Sequence, residues 1–282
     1  IDAALRITLT DDAPTAVSRT VQVSEDQVPS YRLVLVLDVS GSMDTTSAGG
    51  AVRQVNADGS ITITTRLALA RQALAQLVEE YYNQAQNVSI TLITFSDSAT
   101  VVNASPYTTK DAAITAILAA DGSGGTNYSN ALAAAQGAFG TVNPSLRNAV
   151  YFVSDGAPSG GDLTNPATSS GYTTFVSNNN IDSYAVGVGN GIANTGPLNG
   201  IHNVDGNGNG TSDGAIIVPD LDDLGAALLS TVPVAYGGNV VSSTADGNVL
   251  GADGGYIQTV TVRLDTNGDG APDSDVTFTH DP

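Results

Sequence analysis

The 282-residue chain has no cysteine, no tryptophan, two histidines and one methionine, and Lys110 is its single lysine. Each shortage removes a kind of chemistry. Without cysteine there are no disulfides, no thiolate nucleophiles and no cysteine-based zinc sites, so thiols give no information on redox compartment. Two histidines cannot build a three-histidine metal site. Positive charge is also scarce, with nine Lys and Arg against 28 Asp and Glu and a formal net charge of −19. A field of that sign repels phosphate backbones and anionic lipid, so neither nucleic acid nor a membrane surface is expected as a partner. It suits divalent cations, because clustered carboxylates repel one another until a hard cation neutralises them. No run approaches the length of a membrane span, and no signal-peptide pattern opens the chain. The sequence starts in strand-like residues at Ile1, as an excised piece of a longer protein would, so that missing signal carries little weight.

What is present is enough for a full core. Hydrophobic residues make up 41% of the chain, and its length suits one large domain or one domain with a smaller companion. The middle alternates buried strands with helices. Tyr31 to Val39 (YRLVLVLDV) is a short apolar run ending around an Asp, the pattern of a central parallel strand covered on both faces. Arg66 to Tyr82 then sets Leu67, Ala70, Leu74, Leu77 and Val78 on one helical stripe. Strands are expected at Val88 to Phe95, Ala149 to Val153, Ile181 to Val188 and Ala215 to Val218. Helices are expected at Lys110 to Ala120, Ser129 to Phe139, Tyr172 to Asn178 and Asp222 to Thr231. The order predicts an α/β, Rossmann-like domain, a mostly parallel sheet with helices on both faces, which binds ligands beyond the carboxyl ends of its strands. Breaker residues place this domain at 31–236. The flanks, 1–30 and 237–282, show half-buried alternation at Ala4 to Leu9, Thr20 to Val23 and Tyr256 to Leu264. They are expected to pair as one small β-sandwich or to stand as separate linker strands.

Asp38-Val39-Ser40-Gly41-Ser42 follows the central strand directly, where a turn can aim alternate residues the same way. Aspartate supplies charge, and the serine hydroxyls supply neutral oxygens that hard cations accept without added repulsion. Met43 is expected to pack into the domain. Gly124-Gly125-Thr126-Asn127-Tyr128 precedes the Ala-rich helix, where Thr126 is a candidate ligand or a helix N-cap. Ser154-Asp155-Gly156 ends an apolar strand, where Asp155 is a candidate ligand or a turn residue.

DVSGSM after a buried strand, GGTNYSNAL before a helix and YFVSDGAP after another strand together resemble the von Willebrand factor A family and its metal-ion-dependent adhesion site. The resemblance covers roughly residues 31 to 234. It implies that Ser40, Ser42 and Thr126 are hydroxyl ligands, that Asp38 and Asp155 bind the ion directly or through water, and that Asp97 in FSDSA is structural. It also implies Ca2+ or Mg2+ with one coordination position left for a partner's carboxylate, which is recognition and not catalysis. One departure is the insertion Asp44 to Thr65, where Ala51 to Val55 and Ser60 to Thr64 flank the hairpin-turn signal Asn56-Ala57-Asp58-Gly59. It should stand beside the metal face, where it could select partners or cover the site.

Two further segments carry calcium-loop spacing. Asp265, Asn267, Asp269, Ala271 and Asp273 have Gly270 at the sixth position but lack the acidic twelfth ligand. Asp205, Asn207, Asn209 and Asp213 repeat the pattern with less charge. Each is read either as an accessory calcium site or as a tight Gly/Asn/Asp turn. Abundant Gly, Asn, Thr, Ser and Asp with little Lys is associated with large secreted bacterial surface proteins. TLTDDAPTAV near the start and NVLGADGGYIQTVTV near the end resemble segments from the carboxy-terminal regions of giant calcium-dependent adhesins exported by type I secretion (RTX-type), whose repeats and secretion signal are absent here. The implied role is an extracellular, monomeric adhesion module at a bacterial cell surface, part of a longer secreted chain. Its partner would be a protein or peptide with an acidic group, or another cell-surface ligand, in attachment and biofilm formation.

Two rivals stand beside this. One is a structural spacer whose metal only stabilises the fold. The other is a metal-dependent phosphatase, which Ser40 disfavours by standing where the general acid would be needed; no enzyme is expected. A serine hydrolase would need a histidine base, and neither histidine has a recognisable catalytic setting; His202, beside a Gly/Asn-rich loop, reads as a surface side chain.

Overall fold

The computed structural model describes residues 29–44, 51–55, 61–156, 158, 166–189, 192, 194–205, 211–233, 259–264 and 274–279. The central strand β1 (Ser30–Asp38) is apolar without a break from Leu33 to Leu37 because it has a neighbour on each edge and helices over each face. It pairs in parallel with β4 (Asn87–Phe95), from Ser30↔Asn87 to Asp38↔Phe95, and with β6 (Arg147–Ser154), from Tyr31↔Arg147 to Leu37↔Val153. Beyond β6 lie β7 (Ile181–Val188) and β8 (Ile216–Val218), and beyond β4 lies β5 (Ala99–Val101). The six strands run in the order β5-β4-β1-β6-β7-β8. Only β5 is antiparallel.

The two faces of β1 separate two core layers, as strand alternation requires. Leu33, Leu35 and Leu37 pack with α2 (Arg66–Gln84), α3 (Lys110–Ala119) and α8 (Leu224–Leu229). Val34 and Val36 pack with α4 (Tyr128–Phe139), α5 (Pro166–Ser169), α6 (Tyr172–Asn178) and α7 (Gly196–Ile201). This is the α/β, Rossmann-like architecture expected from the strand and helix order. The chain moves from β1 to one side, into β4, and later to the other side, into β6. The carboxyl ends of β1 and β6 therefore border the crevice where such sheets bind ligands.

Under α2 the first layer carries a ring cluster. Tyr31 and Tyr81 meet edge to face at 4.8 Å, and Tyr151 and Tyr184 stack at 4.8 Å with 14° between planes. Tyr81 and Tyr151 hydroxyls lie 2.9 Å apart, and Tyr151 lies 2.8 Å from Thr231 Oγ1, which donates to the Leu228 carbonyl. Since Thr231 spends its proton on that carbonyl, Tyr151 must donate to Thr231 and Tyr81 to Tyr151.

Several elements differ from expectation. β5, α5 and α7 are additional, and the expected last helix divides into a 3-10 turn at Leu221–Asp223 and α8. His202 is not a surface side chain. It is 7% exposed, its Nδ1 accepts from the Ala185 amide at 3.2 Å, and its ring meets Tyr184 edge-on. Burial holds its pKa below the ordinary histidine range, against the pull of Asp213.

The insertion contains an antiparallel hairpin, β2 (Ala51–Val55) with β3 (Ile61–Thr65), in register from Ala51↔Thr65 to Val55↔Ile61. It follows α1 (Gly41–Asp44) and leads into α2 without a break, as Thr65 accepts the capping hydrogen bond from the Ala68 amide at 3.1 Å.

The chain divides into two units, Val28–Ala235 and one drawn from Ile1–Gln27 and Tyr236–Pro282. Of the latter, the structure describes an antiparallel pair, β9 (Thr259–Leu264) and β10 (Ser274–Thr279). The strands expected at Ala4 to Leu9 and Thr20 to Val23 lie outside the described residues.

Candidate metal centre

Asp38 is the last residue of β1, and the chain turns immediately after it. The Val39 amide donates to the Phe95 carbonyl at 2.9 Å, and the Ser40 amide donates back to Asp38 Oδ1 at 2.8 Å. This turn sets the Ser40 and Ser42 hydroxyls side by side, 3.1 Å apart. Ser42 lies in the single turn of α1, which fully buried Met43 pins to the core.

The end of β6 closes on this turn from the other side. Ser42 Oγ donates to Asp155 Oδ1 at 2.7 Å, and Ser154 Oγ donates to Asp38 Oδ2 at 2.6 Å. Four of the five expected site residues, Asp38, Ser40, Ser42 and Asp155, are thus joined in one hydrogen-bonded group. Thr126 is buried on an adjoining loop. That loop docks through two backbone bonds, Gly41 N–H to the Gly124 carbonyl at 3.0 Å and Asn127 N–H to the Ser96 carbonyl at 2.7 Å. The cap of α4 is Asn127, whose side chain accepts from the Asn130 amide, so Thr126 does not serve as the N-cap. Gly124 has φ +107°, and a Cβ there would stand 2.5 Å from Asp97 Oδ2; close packing against Asp97 therefore requires glycine.

Three contributors escaped the sequence reading. Ser154 was visible in YFVSDG, but a serine ending a strand gives no sign of its bond to Asp38. Arg66 opens α2, and its Nη1 donates to Asp155 Oδ2 at 3.2 Å and to the Ser42 carbonyl at 3.1 Å. Tyr128, fully buried at the start of α4, donates from its hydroxyl to the Gly156 carbonyl at 2.6 Å and so fixes the chain just after Asp155.

Burial dominates the electrostatics. Asp38 is wholly inaccessible, and its pKa is pushed up to about 7 by burial, against the hydrogen bonds from Ser154 and Ser40 and with a small push from the Asp155 charge. Asp155 is raised as well, again by burial, against the Ser42 hydrogen bond and the Arg66 charge. Two reluctant carboxylates among hydroxyls, with no nitrogen or sulfur donor in the group, match the donor set of a hard divalent cation. Among the described residues no group of three or more His, Cys, Asp or Glu gathers, so an ion here would have two charged ligands, its other donors being neutral oxygens.

The accessory loops give less. Asp265, Asn267, Asp269, Ala271 and Asp273 lie outside the described residues, as do Asn207 and Asn209. Asp205 and Asp213 flank the second segment, which is closed by the Asp213 amide donating to the Val204 carbonyl at 3.0 Å.

No curated protein matches the chain. Solved structures do, at low identity. Proximal thread matrix protein 1 from the mussel byssus, with a zinc-occupied MIDAS motif, aligns with TM-score 0.54 and 16% identity over 73% of this chain and 45% of that one. A von Willebrand factor type A structure from Catenulispora acidiphila aligns with TM-score 0.52 and 17% identity over 72% of this chain and 42% of that one. The pilus adhesin SpaC from Lactobacillus rhamnosus GG aligns with TM-score 0.51 and 16% identity over 73% of this chain and 30% of that one. The chain spans less than half the length of each. Residues 33–157 match the family model of the von Willebrand factor type A domain, and the six-stranded sheet with its helices has the fold of that domain.

Proposed function

We propose that the chain is a metal-dependent adhesion module acting outside the cell, in which Asp38, Ser40, Ser42, Thr126 and Asp155 hold a divalent cation that takes a carboxylate from a protein or peptide partner. The observation that carries this is the convergence of two buried carboxylates with serine hydroxyls at the carboxyl ends of β1 and β6. Ca2+ and Mg2+ both suit an all-oxygen donor set. When bound, the ion would supply a Lewis-acidic position for an anionic group. The residues themselves do the rest: Asp38 and Asp155 supply charge, the hydroxyls supply neutral oxygens, and Ser154 and Arg66 orient the two carboxylates. The pilus adhesin and the zinc-occupied byssus protein share the fold, and that likeness agrees with the reading. A place in a secreted RTX-type adhesin exported by type I secretion, with a role in biofilm attachment and accessory calcium in the flanking loops, belongs to the same proposal. So does a monomeric, non-catalytic state.

Calorimetric titration with Mg2+ and Ca2+, followed by an acidic peptide, tests it in the wild type and in Asp38→Ala. The wild type is expected to bind a cation and then the peptide, and the variant neither. Peptide binding that survives loss of the metal would defeat the mechanism. Cation binding with no anion binding would favour a structural spacer, and phosphatase turnover that disappears with Asp38 would favour the enzyme.

A further inference from the structure

Arg66 occupies an electrostatically unfavourable place. The amino end of a helix carries partial positive charge and favours acidic side chains, yet α2 opens on an arginine and has no acid in its first turn. The contacts of the guanidinium account for this. One nitrogen, Nη1, serves both the Ser42 carbonyl and Asp155 Oδ2, at 3.1 and 3.2 Å, with side-chain exposures of 15% for Arg66 and 2% for Asp155. Gly189, with φ +89°, lies so close that a Cβ there would stand 3.0 Å from Arg66 Nε. The arginine is therefore confined by the end of β7, the turn of α1 and Asp155. Since Ser42 Oγ donates to Oδ1, both oxygens of Asp155 are engaged, one by a candidate ligand and the other by a fixed cation.

Resting on the metal reading above, we propose that Arg66 is a built-in third charge of the centre, which lowers its affinity for the cation and raises its affinity for the anion that follows. With both carboxylates ionised, as ligands of a divalent ion, one guanidinium leaves their sum at minus one, and the ion brings the loaded centre to plus one. Without Arg66 the loaded centre would be neutral, and its pull on a carboxylate would be weaker. Arg66 also neutralises Asp155 while no ion is bound, so that this buried carboxylate is not left without a counter-charge. It is a positioning residue, touching the carboxylate and not the ion.

The test uses the full chain, with Arg66→Gln removing the charge while keeping a donor, and Arg66→Lys keeping the charge while losing the fork. Mg2+ and Ca2+ are titrated calorimetrically, then glutarate is titrated into the loaded protein, and melting is recorded without metal. Arg66→Gln is expected to bind the cation roughly tenfold more tightly, take glutarate several-fold more weakly, and melt lower when metal-free. Arg66→Lys is expected to keep the wild-type cation affinity within a factor of about three, because the charge remains. An Arg66→Gln affinity equal to or weaker than wild type overturns the proposal, and so does Arg66→Lys behaving like Arg66→Gln. If the wild type binds no divalent cation, the metal reading falls and this inference falls with it. Wild-type binding with an unaltered Arg66→Gln affinity overturns the role of Arg66 alone.

Discussion

Asp38 makes the metal-free protein sensitive to pH in a direction opposite to that of most carboxylates. In the unfolded chain its carboxyl titrates near 3.8, and in the fold burial pushes it up to about 7. The folded state therefore holds the proton more tightly. The stability this supplies is complete below pH 3.8, declines as pH rises, and is lost above about 7. Three units at 1.36 kcal/mol each amount to about 4 kcal/mol over the whole range, and roughly 2.5 kcal/mol falls between pH 5 and 8. Asp38→Asn keeps the acceptor for the Ser40 amide, and the Ser154 hydroxyl can rotate to accept, so the variant removes the charge with little change of shape. Denaturant unfolding in excess chelator at pH 5 and pH 8 measures the effect, and subtracting the variant cancels the other carboxylates. The wild type is expected to lose roughly 2.5 kcal/mol relative to Asp38→Asn over that interval, making the variant the more stable protein at pH 8. Saturating Mg2+ or Ca2+ should narrow the gap at pH 8, since a cation at 100 times its dissociation constant adds about 2.7 kcal/mol to the wild type and none to a variant that does not bind it. Parallel pH profiles for the two proteins in chelator would refute the assignment of Asp38 as a carboxyl held neutral by burial.

Two other substitutions probe the loops that complete the site. Gly124→Ala forces an L side chain to φ +107° and into Asp97, and is expected to cost about 1–3 kcal/mol and to weaken cation binding by shifting the loop that carries Thr126; an unchanged melting temperature would count against this packing. Tyr128→Phe deletes the hydroxyl that donates to the Gly156 carbonyl and is expected to cost about 1 kcal/mol in denaturant unfolding. A variant as stable as wild type would show that this bond does not hold the Asp155 segment.

What the sequence disclosed followed the reach of each interaction. Asp38, Ser40 and Ser42 sit within five residues at the end of an apolar run, so local pattern alone marks them. The partners that orient the carboxylates are remote: Ser154 is 116 residues from Asp38, and Arg66 is 89 from Asp155. Those pairs meet only because β6 lies beside β1 and α2 starts by the carboxyl ends of both strands, which no local spacing encodes. The same distinction explains the missed elements. β5 is three residues long and partly exposed, too short for alternation to register. α7 reads GPLNGI, whose Gly, Pro and Asn suggest a turn, yet Pro sits in its first turn and Leu198 and Ile201 anchor it in the core. His202 follows that helix and is carried inward with it, against the expectation drawn from its polar neighbours.

The tyrosine cluster beneath α2 has a spectroscopic consequence. With ten tyrosines and no tryptophan, absorption near 280 nm and the fluorescence it excites belong to phenol rings, and Tyr31, Tyr81, Tyr151 and Tyr184 form one chain of neighbours with centroids 4.8–6.2 Å apart. Rings so close and so fixed in mutual angle couple their transitions, so near-ultraviolet circular dichroism reports mainly on the α2 face of the sheet. Tyr128, on the opposite face and tied to the chain beside Asp155, is set apart from that group and offers an optical view of the candidate metal centre.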